Sequence, residues 1–213
     1  MMEHEFWHRK WENNQIAFHE AETNPLLLKH VSALGLAAGA RVFVPLCGKS
    51  RDLHWLLAQG YEVVGAELSR LAVEQLFADL ALTPLITHAG TLERFEAERL
   101  TVFVGDIFDL DHATLGHVDA VYDRAALVAL PEAVRTRYAA HLAAASRHAP
   151  QLLITLDYDP ALDIGPPFAV NEHAVRRLYG AAFHVTNIET RALAQGLKGV
   201  HPVRESAFLL TAR

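Results

Sequence analysis

Residues 41–69 read RVFVPLCGKSRDLHWLLAQGYEVVGAELS, and this stretch decides the fold. Arg41–Pro45 is a short apolar run ended by proline, the pattern of a buried strand. Ser50 stands where an N-cap belongs, so a helix is predicted over Ser50–Gln59, stopping at Gly60. Glu62–Glu67 (EVVGAE) reads as a second strand. Strand, helix and strand in succession announce a parallel sheet rather than a meander.

The same alternation continues outward. Leu71–Leu80 is a second helix, Leu100–Val104 a third strand and Val118–Asp123 a fourth. Pro131–His148 is a long Ala-rich helix with proline at its start. Gln151–Asp157 is a fifth strand, Asn171–Tyr179 a helix, Phe183–Glu189 a sixth strand and Ser206–Thr211 a seventh. The expectation is an α/β fold: a mostly parallel seven-stranded sheet with helices on both faces. Residues 1–40 differ, reading as a helical cap weighted by Phe6, Trp7, Ile16 and Phe18. Thr23-Asn24-Pro25 signals a helix start there, with a short helix over Leu26–Leu34. The chain is therefore expected to be one domain, with 1–40 as cap and 41–213 as core.

Composition removes several classes of function. Hydrophobic residues form 51% of the 213, enough for a sizeable core. The net charge of −6 comes without a basic stripe, which argues against a nucleic-acid partner. Cys47 stands alone, so neither an intramolecular disulfide nor a Cys-rich zinc site is available. A single cysteine is compatible with a reducing cytoplasm, the expected location. Met1–Lys10 is charged and aromatic, unlike a secretory signal, and no apolar run is long enough for a membrane helix. No extra hydrophobic interface element stands out, so a monomer is expected.

Open parallel sheets bind ligands at the carboxyl ends of their strands, where strand order reverses. The turns expected there are Pro45–Ser50, Glu67-Leu68-Ser69, Gly105-Asp106-Ile107-Phe108 and Asp123-Arg124-Ala125. The first turn carries only Gly48, too few glycines for the close backbone approach that a pyrophosphate requires. Glu67, ending the second strand, can accept hydrogen bonds from a ribose diol, unless it is an ordinary surface glutamate. Asp106 can accept from an exocyclic amine, or simply form a turn. Ile107 can flank a purine ring. A diol acceptor, a purine slot and no room for pyrophosphate describe S-adenosylmethionine better than a nicotinamide dinucleotide.

The motifs PLCGKS (45–50), VGAELS (64–69), GDIFDL (105–110) and DRAALVALP (123–131) resemble the thiopurine S-methyltransferase family. So do Phe6-Trp7 with Trp11, NQIAFH (14–19), Tyr158-Asp159-Pro160 and GPPF (165–168), so the resemblance runs nearly end to end. It implies a Rossmann-like class I methyltransferase that uses S-adenosylmethionine, with a small-molecule thiol such as a thiopurine as acceptor. Some bacterial-type members are also associated with selenium and tellurium compounds. By resemblance, Trp7 and Trp11 cover the cofactor, Leu46 and Gly48 line its methionine and ribose region, and Glu67 holds the ribose. Asp106 and Ile107 bracket the adenine, Arg124 lies near both cofactor and acceptor, and Phe18 stacks on the acceptor. The family's second basic acceptor contact has no clear match, with Arg191 and Lys198 as nearby candidates.

A thiol of this kind ionises easily, so no dedicated base is needed, and the permanently charged Arg124 can hold the anion. Its alternative is a structural pairing with Asp123 or another carboxylate. Cys47 reads as a small buried residue. Two other motifs compete. His4-Glu5-Phe6-Trp7-His8 matches H-E-x-x-H, yet no third ligand has a recognisable spacing, and no metal is expected. Gly48-Lys49-Ser50 resembles the end of a P-loop, yet Phe43 stands where its first glycine belongs. Two readings outside S-methylation also stand: a binding module that keeps the cofactor without turnover, and a methyltransferase with another acceptor.

Overall fold

The computed structural model describes residues 4–15, 20–162 and 164–213. In chain order the elements are α1 (His4–Glu12), α2 (Pro25–His30), β1 (Arg41–Pro45), α3 (Arg51–Ala58), β2 (Glu62–Glu67), α4 (Arg70–Asp79), β3 (Leu85–Ala89) and β4 (Leu92–Ala97). They continue with β5 (Leu100–Val104), α5 (His112–Leu115), β6 (Ala120–Arg124), α6 (Glu132–Ala145), β7 (Gln151–Asp157), α7 (Glu172–Tyr179), β8 (Phe183–Ala192) and β9 (Arg204–Ala212).

One sheet runs in the order β3-β4-β5-β2-β1-β6-β7-β9-β8. Strands β5, β2, β1, β6 and β7 pair in parallel, while β4 and β9 run against their neighbours. The order reverses at β1, which lies between β2 and β6. That reversal leaves a crevice where the following connections diverge to opposite faces.

The expected sheet of seven strands is corrected to nine. The additions are β3 and β4, a hairpin over residues 85–97 turning at Gly90-Thr91, with Gly90 at φ +64°. A two-residue turn with a left-handed glycine is a hairpin device. The segment gave little strand signal because β3 is an edge strand exposed along most of its length, so burial imposes no alternation on it. Ile16 and Phe18 of the expected cap lie outside the described residues. Helix α1 ends at Glu12, and the helix begun at Pro25 tightens into a 3-10 turn over Val31–Leu34.

Alternation along the strands divides the core in two. Val42, Val44, Val63, Val102 and Ile154 pack under α2, α3 and α4 with Leu27, Leu53 and Leu76. Phe43, Val64, Phe103, Val121 and Leu153 pack on the other face with Tyr138, Leu142, Val175 and Tyr179 from α6 and α7. Caps fix the helix starts: Ser50 accepts from the Asp52 N–H, Ser69 from Ala72 and Asn171 from Ala174.

Gly65 in β2 stands against Cys47 of the turn after β1 and Val102 of β5. A Cβ placed there would lie 2.7 Å from Cys47 Sγ and 3.3 Å from Val102. Gly65→Ala is therefore expected to destabilise the protein by about 1–3 kcal/mol through overpacking. Adding Cys47→Ala should recover part of that loss, so denaturant melts of the single and double variants should be non-additive.

Candidate functional site

The connections after β1, β2, β5 and β6 meet at a cavity of about 1200 Å³ under α1. Glu67, the last residue of β2, lines it and is only 6% exposed, so it is not the surface glutamate that was its alternative. One carboxylate oxygen accepts from Gly48 N–H and the other from Ser69 N–H, each at 2.8 Å. The main-chain carbonyl of Glu67 accepts from Gly105 N–H at 2.9 Å. One residue thus ties the turn after β1, the start of α4 and the turn after β5. Burial raises the carboxyl pKa, opposed by the backbone N–H groups of Ser69, Gly48 and Leu68. An ionised carboxylate offers about four lone-pair positions, so these donors do not saturate it.

The turn after β1 is built around left-handed backbone. Leu46 has φ +46° and Gly48 φ +52°. A Cβ on Gly48 would meet the Trp11 ring at 3.2 Å, so glycine here lets the indole of α1 lie against the turn. Ala125, after β6, is also left-handed at φ +66°. Leu46 and Ala125 thus both bring sparsely populated backbone to the lining of the cavity. Asp106 caps the short turn that follows β5, accepting from Phe108 N–H at 3.0 Å. It therefore forms a turn and also lines the cavity.

Arg124 and Asp123 are neighbours that face opposite ways, as strand geometry requires. Arg124 ends β6 instead of lying in the turn beyond it and lines the cavity. It pairs with Glu20, Nη2 to Oε1 2.6 Å, and lies 3.9 Å from Asp52 Oδ2. Its structural partners are thus other carboxylates than Asp123. Burial works against its charge but is outweighed by Asp52, Glu20, Tyr122 and Glu205, so its pKa is raised. Asp52 is itself fixed by Asn24 N–H at 2.8 Å and Tyr122 OH at 2.9 Å. Asn24 Nδ2 donates to Glu205 Oε1 at 3.0 Å.

The sequence-predicted residues Trp7, Trp11, Leu46, Gly48, Glu67, Asp106, Ile107 and Arg124 all border this one cavity. Phe18 lies outside the described residues. Of the two candidate basic residues, Arg191 pairs with Glu205 at 2.5 Å. Lys198 lines the cavity and donates to the carbonyls of Ile164 and Pro166, each at 2.7 Å. Burial, with Lys10 nearby, lowers its pKa. The sequence assigned no site role to Glu20, Asp52 or Glu205, because their contacts with Arg124 and Asn24 span much of the chain and leave no local spacing. The H-E-x-x-H segment starts α1, and no cluster of metal-ligating side chains exists among the described residues.

A family model described as thiopurine S-methyltransferase matches residues 2–212. The chain belongs to the thiopurine S-methyltransferase family. A relative of that name from Xanthobacter autotrophicus is 53% identical over 210 residues, covering 98% of this chain and 99% of that protein. Another from Acinetobacter baylyi is 42% identical over 217 residues, covering all of both. The fold is shared with a Burkholderia thailandensis 1,6-didemethyltoxoflavin-N1-methyltransferase solved with S-adenosylhomocysteine, at TM-score 0.68 and 17% identity over 99% of this chain and 87% of that one. An S-adenosylmethionine-dependent methyltransferase from Anabaena variabilis has TM-score 0.67 at 13% identity, covering 99% of this chain and 95% of that one. The class I methyltransferase fold expected for this family is thus present, with the added hairpin at one edge.

Asp123, which opens the DRAALVALP segment, is fully buried and accepts from Tyr138 OH at 2.8 Å and Leu127 N–H at 3.1 Å. Burial pushes its carboxyl up to about 6. Because the folded value lies above the unfolded one of about 3.9, its stabilising contribution is complete below pH ~4. That contribution is lost as pH rises through about 6. Between pH 4 and 7.5 the wild type is expected to lose on the order of 2–3 kcal/mol relative to Asp123→Asn. Denaturant melts across that range check this, and parallel stability curves would contradict it.

Proposed function

We propose that this member of the family transfers a methyl group from S-adenosylmethionine to a small thiol, a thiopurine-like aryl thiol being the type acceptor. The observation that carries the reading is the convergence of a buried carboxylate, a glycine turn under an indole and a fixed arginine on one cavity at the sheet's reversal. The residues fit the donor: Glu67 retains acceptor capacity at the strand tip, and Gly48 lets the indole of Trp11 close over the turn beside it.

When bound, S-adenosylmethionine supplies an electrophilic methyl group carried on a cationic sulfur. Glu67 would hold the ribose diol, Asp106 and Ile107 the adenine, and Leu46 and Gly48 the methionine and ribose region. Trp7 and Trp11 would cover the site, exclude water and favour the cation by roughly 0.5–2 kcal/mol. Arg124 would hold the acceptor as its anion, with Phe18 beside it. Asp123, facing away behind β6, is no base for the acceptor, and none is needed for a readily ionised thiol. Holding donor and acceptor in line can supply roughly 7–11 kcal/mol of the barrier. Selenium or tellurium compounds would share the requirements of a soft anionic nucleophile.

No helix among the described residues is long and apolar enough to cross a membrane. The reading includes a monomer acting in the cytoplasm on a small molecule, without nucleic acid.

Hydrogen bonds to a charged group contribute about 1.5–3 kcal/mol each. Glu67→Gln is therefore expected to weaken S-adenosylmethionine binding by about 10–100-fold in calorimetric titration. An unchanged affinity would remove Glu67 from the donor site. A methyl-transfer assay across thiol acceptors separates an enzyme from a module that binds the donor without turnover.

A further inference from the structure

Arg124 is held unequally on its two sides. Its side chain is 12% exposed, with Asp52 behind it fixed by Asn24 and Tyr122. Glu20, in contrast, reaches it from the cap side with a side chain that is 52% exposed and lines the cavity. The buried partner cannot leave without stranding a charge, whereas the exposed one needs only side-chain rotation. Glu205, close enough to act on Arg124, is already paired with Arg191. With Asp52 and Glu20 both present, the single charge of Arg124 is outnumbered. A negatively charged acceptor entering the cavity then meets carboxylate where it needs guanidinium.

We propose that Glu20 is a specificity-determining residue: its carboxylate occupies the cavity-facing side of Arg124, and an anionic acceptor binds by displacing it. The proposal rests on the reading of Arg124 as the acceptor contact. It follows that Glu20 lowers the affinity of the site for anions relative to neutral acceptors of the same shape. Glu20 is thus a gate on acceptor charge, and its effect disappears when the carboxylate is replaced by an amide. Glu20→Gln keeps size and hydrogen-bonding reach, and at a half-exposed position it leaves the core untouched.

The test compares wild type and Glu20→Gln, both as the full chain with S-adenosylmethionine, on 3-mercaptopropionate and 3-mercaptopropionamide near pH 7. Both thiols are protonated there, so the pair differs in one carboxylate. The ratio of kcat/KM for acid over amide is expected to rise about three- to fivefold in the variant, the upper part of the scale of a partly exposed ion pair. A ratio within twofold of wild type, or one that falls, overturns the proposal. Should neither of these protonated alkyl thiols be methylated, thiophenol, an aryl thiol largely ionised near pH 7, is assayed as well, and no transfer to it either overturns the methylation reading. The ratio is then read from calorimetric binding of the two thiols to enzyme loaded with S-adenosylhomocysteine. There a selective gain for the acid still supports the gate, and equal binding changes, or no measurable binding of the acid to either protein, overturn it.

Discussion

The site depends on a carboxylate buried at the tip of β2. Burying Glu67 costs solvation, and the structure offsets this with N–H donors from the turn after β1 and the start of α4. Its own carbonyl holds the turn after β5. Three separate chain segments therefore take their positions from one residue. The left-handed backbone at Leu46 and Gly48 follows from this, because the turn must bring Gly48 N–H back onto Glu67. The indole of Trp11 in α1 then packs against the same turn.

Strand alternation supplies the second constraint. At the end of β6 it sends Asp123 beneath α6 and Arg124 toward the cavity. Adjacent residues of opposite charge thus serve separate tasks, one closing the core and one facing the ligand space. Arg124 cannot be held by its own strand alone. Asp52 from α3, Tyr122 from β6, Asn24 before α2 and Glu205 from β9 form the polar layer behind it. This layer ties the cap and the last strand to the centre of the sheet.

Much of this was readable in residues 41–69, where helix caps and apolar runs agree with the structure to within a residue or two. Local signals sufficed because Ser50, Ser69 and Asn171 cap their helices through bonds to residues two or three positions on. The hairpin at 85–97 was missed because an exposed edge strand carries no burial pattern. Glu67 and Arg124 were found from their place at strand ends and from family motifs. Glu20, Asp52 and Glu205 were not, since Asn24 and Glu205 lie 181 residues apart in sequence. The choice between Arg191 and Lys198 needed coordinates too, because each is basic and only their partners tell them apart.

The most direct test is a crystal structure of the protein with S-adenosylhomocysteine and a thiol acceptor. The account predicts both ribose hydroxyls within hydrogen-bonding distance of the Glu67 carboxylate, with the acceptor sulfur on the Arg124 side of the cavity. A nucleoside seated away from the tip of β2, or Glu67 bound only to its backbone partners with the ribose elsewhere, would contradict it.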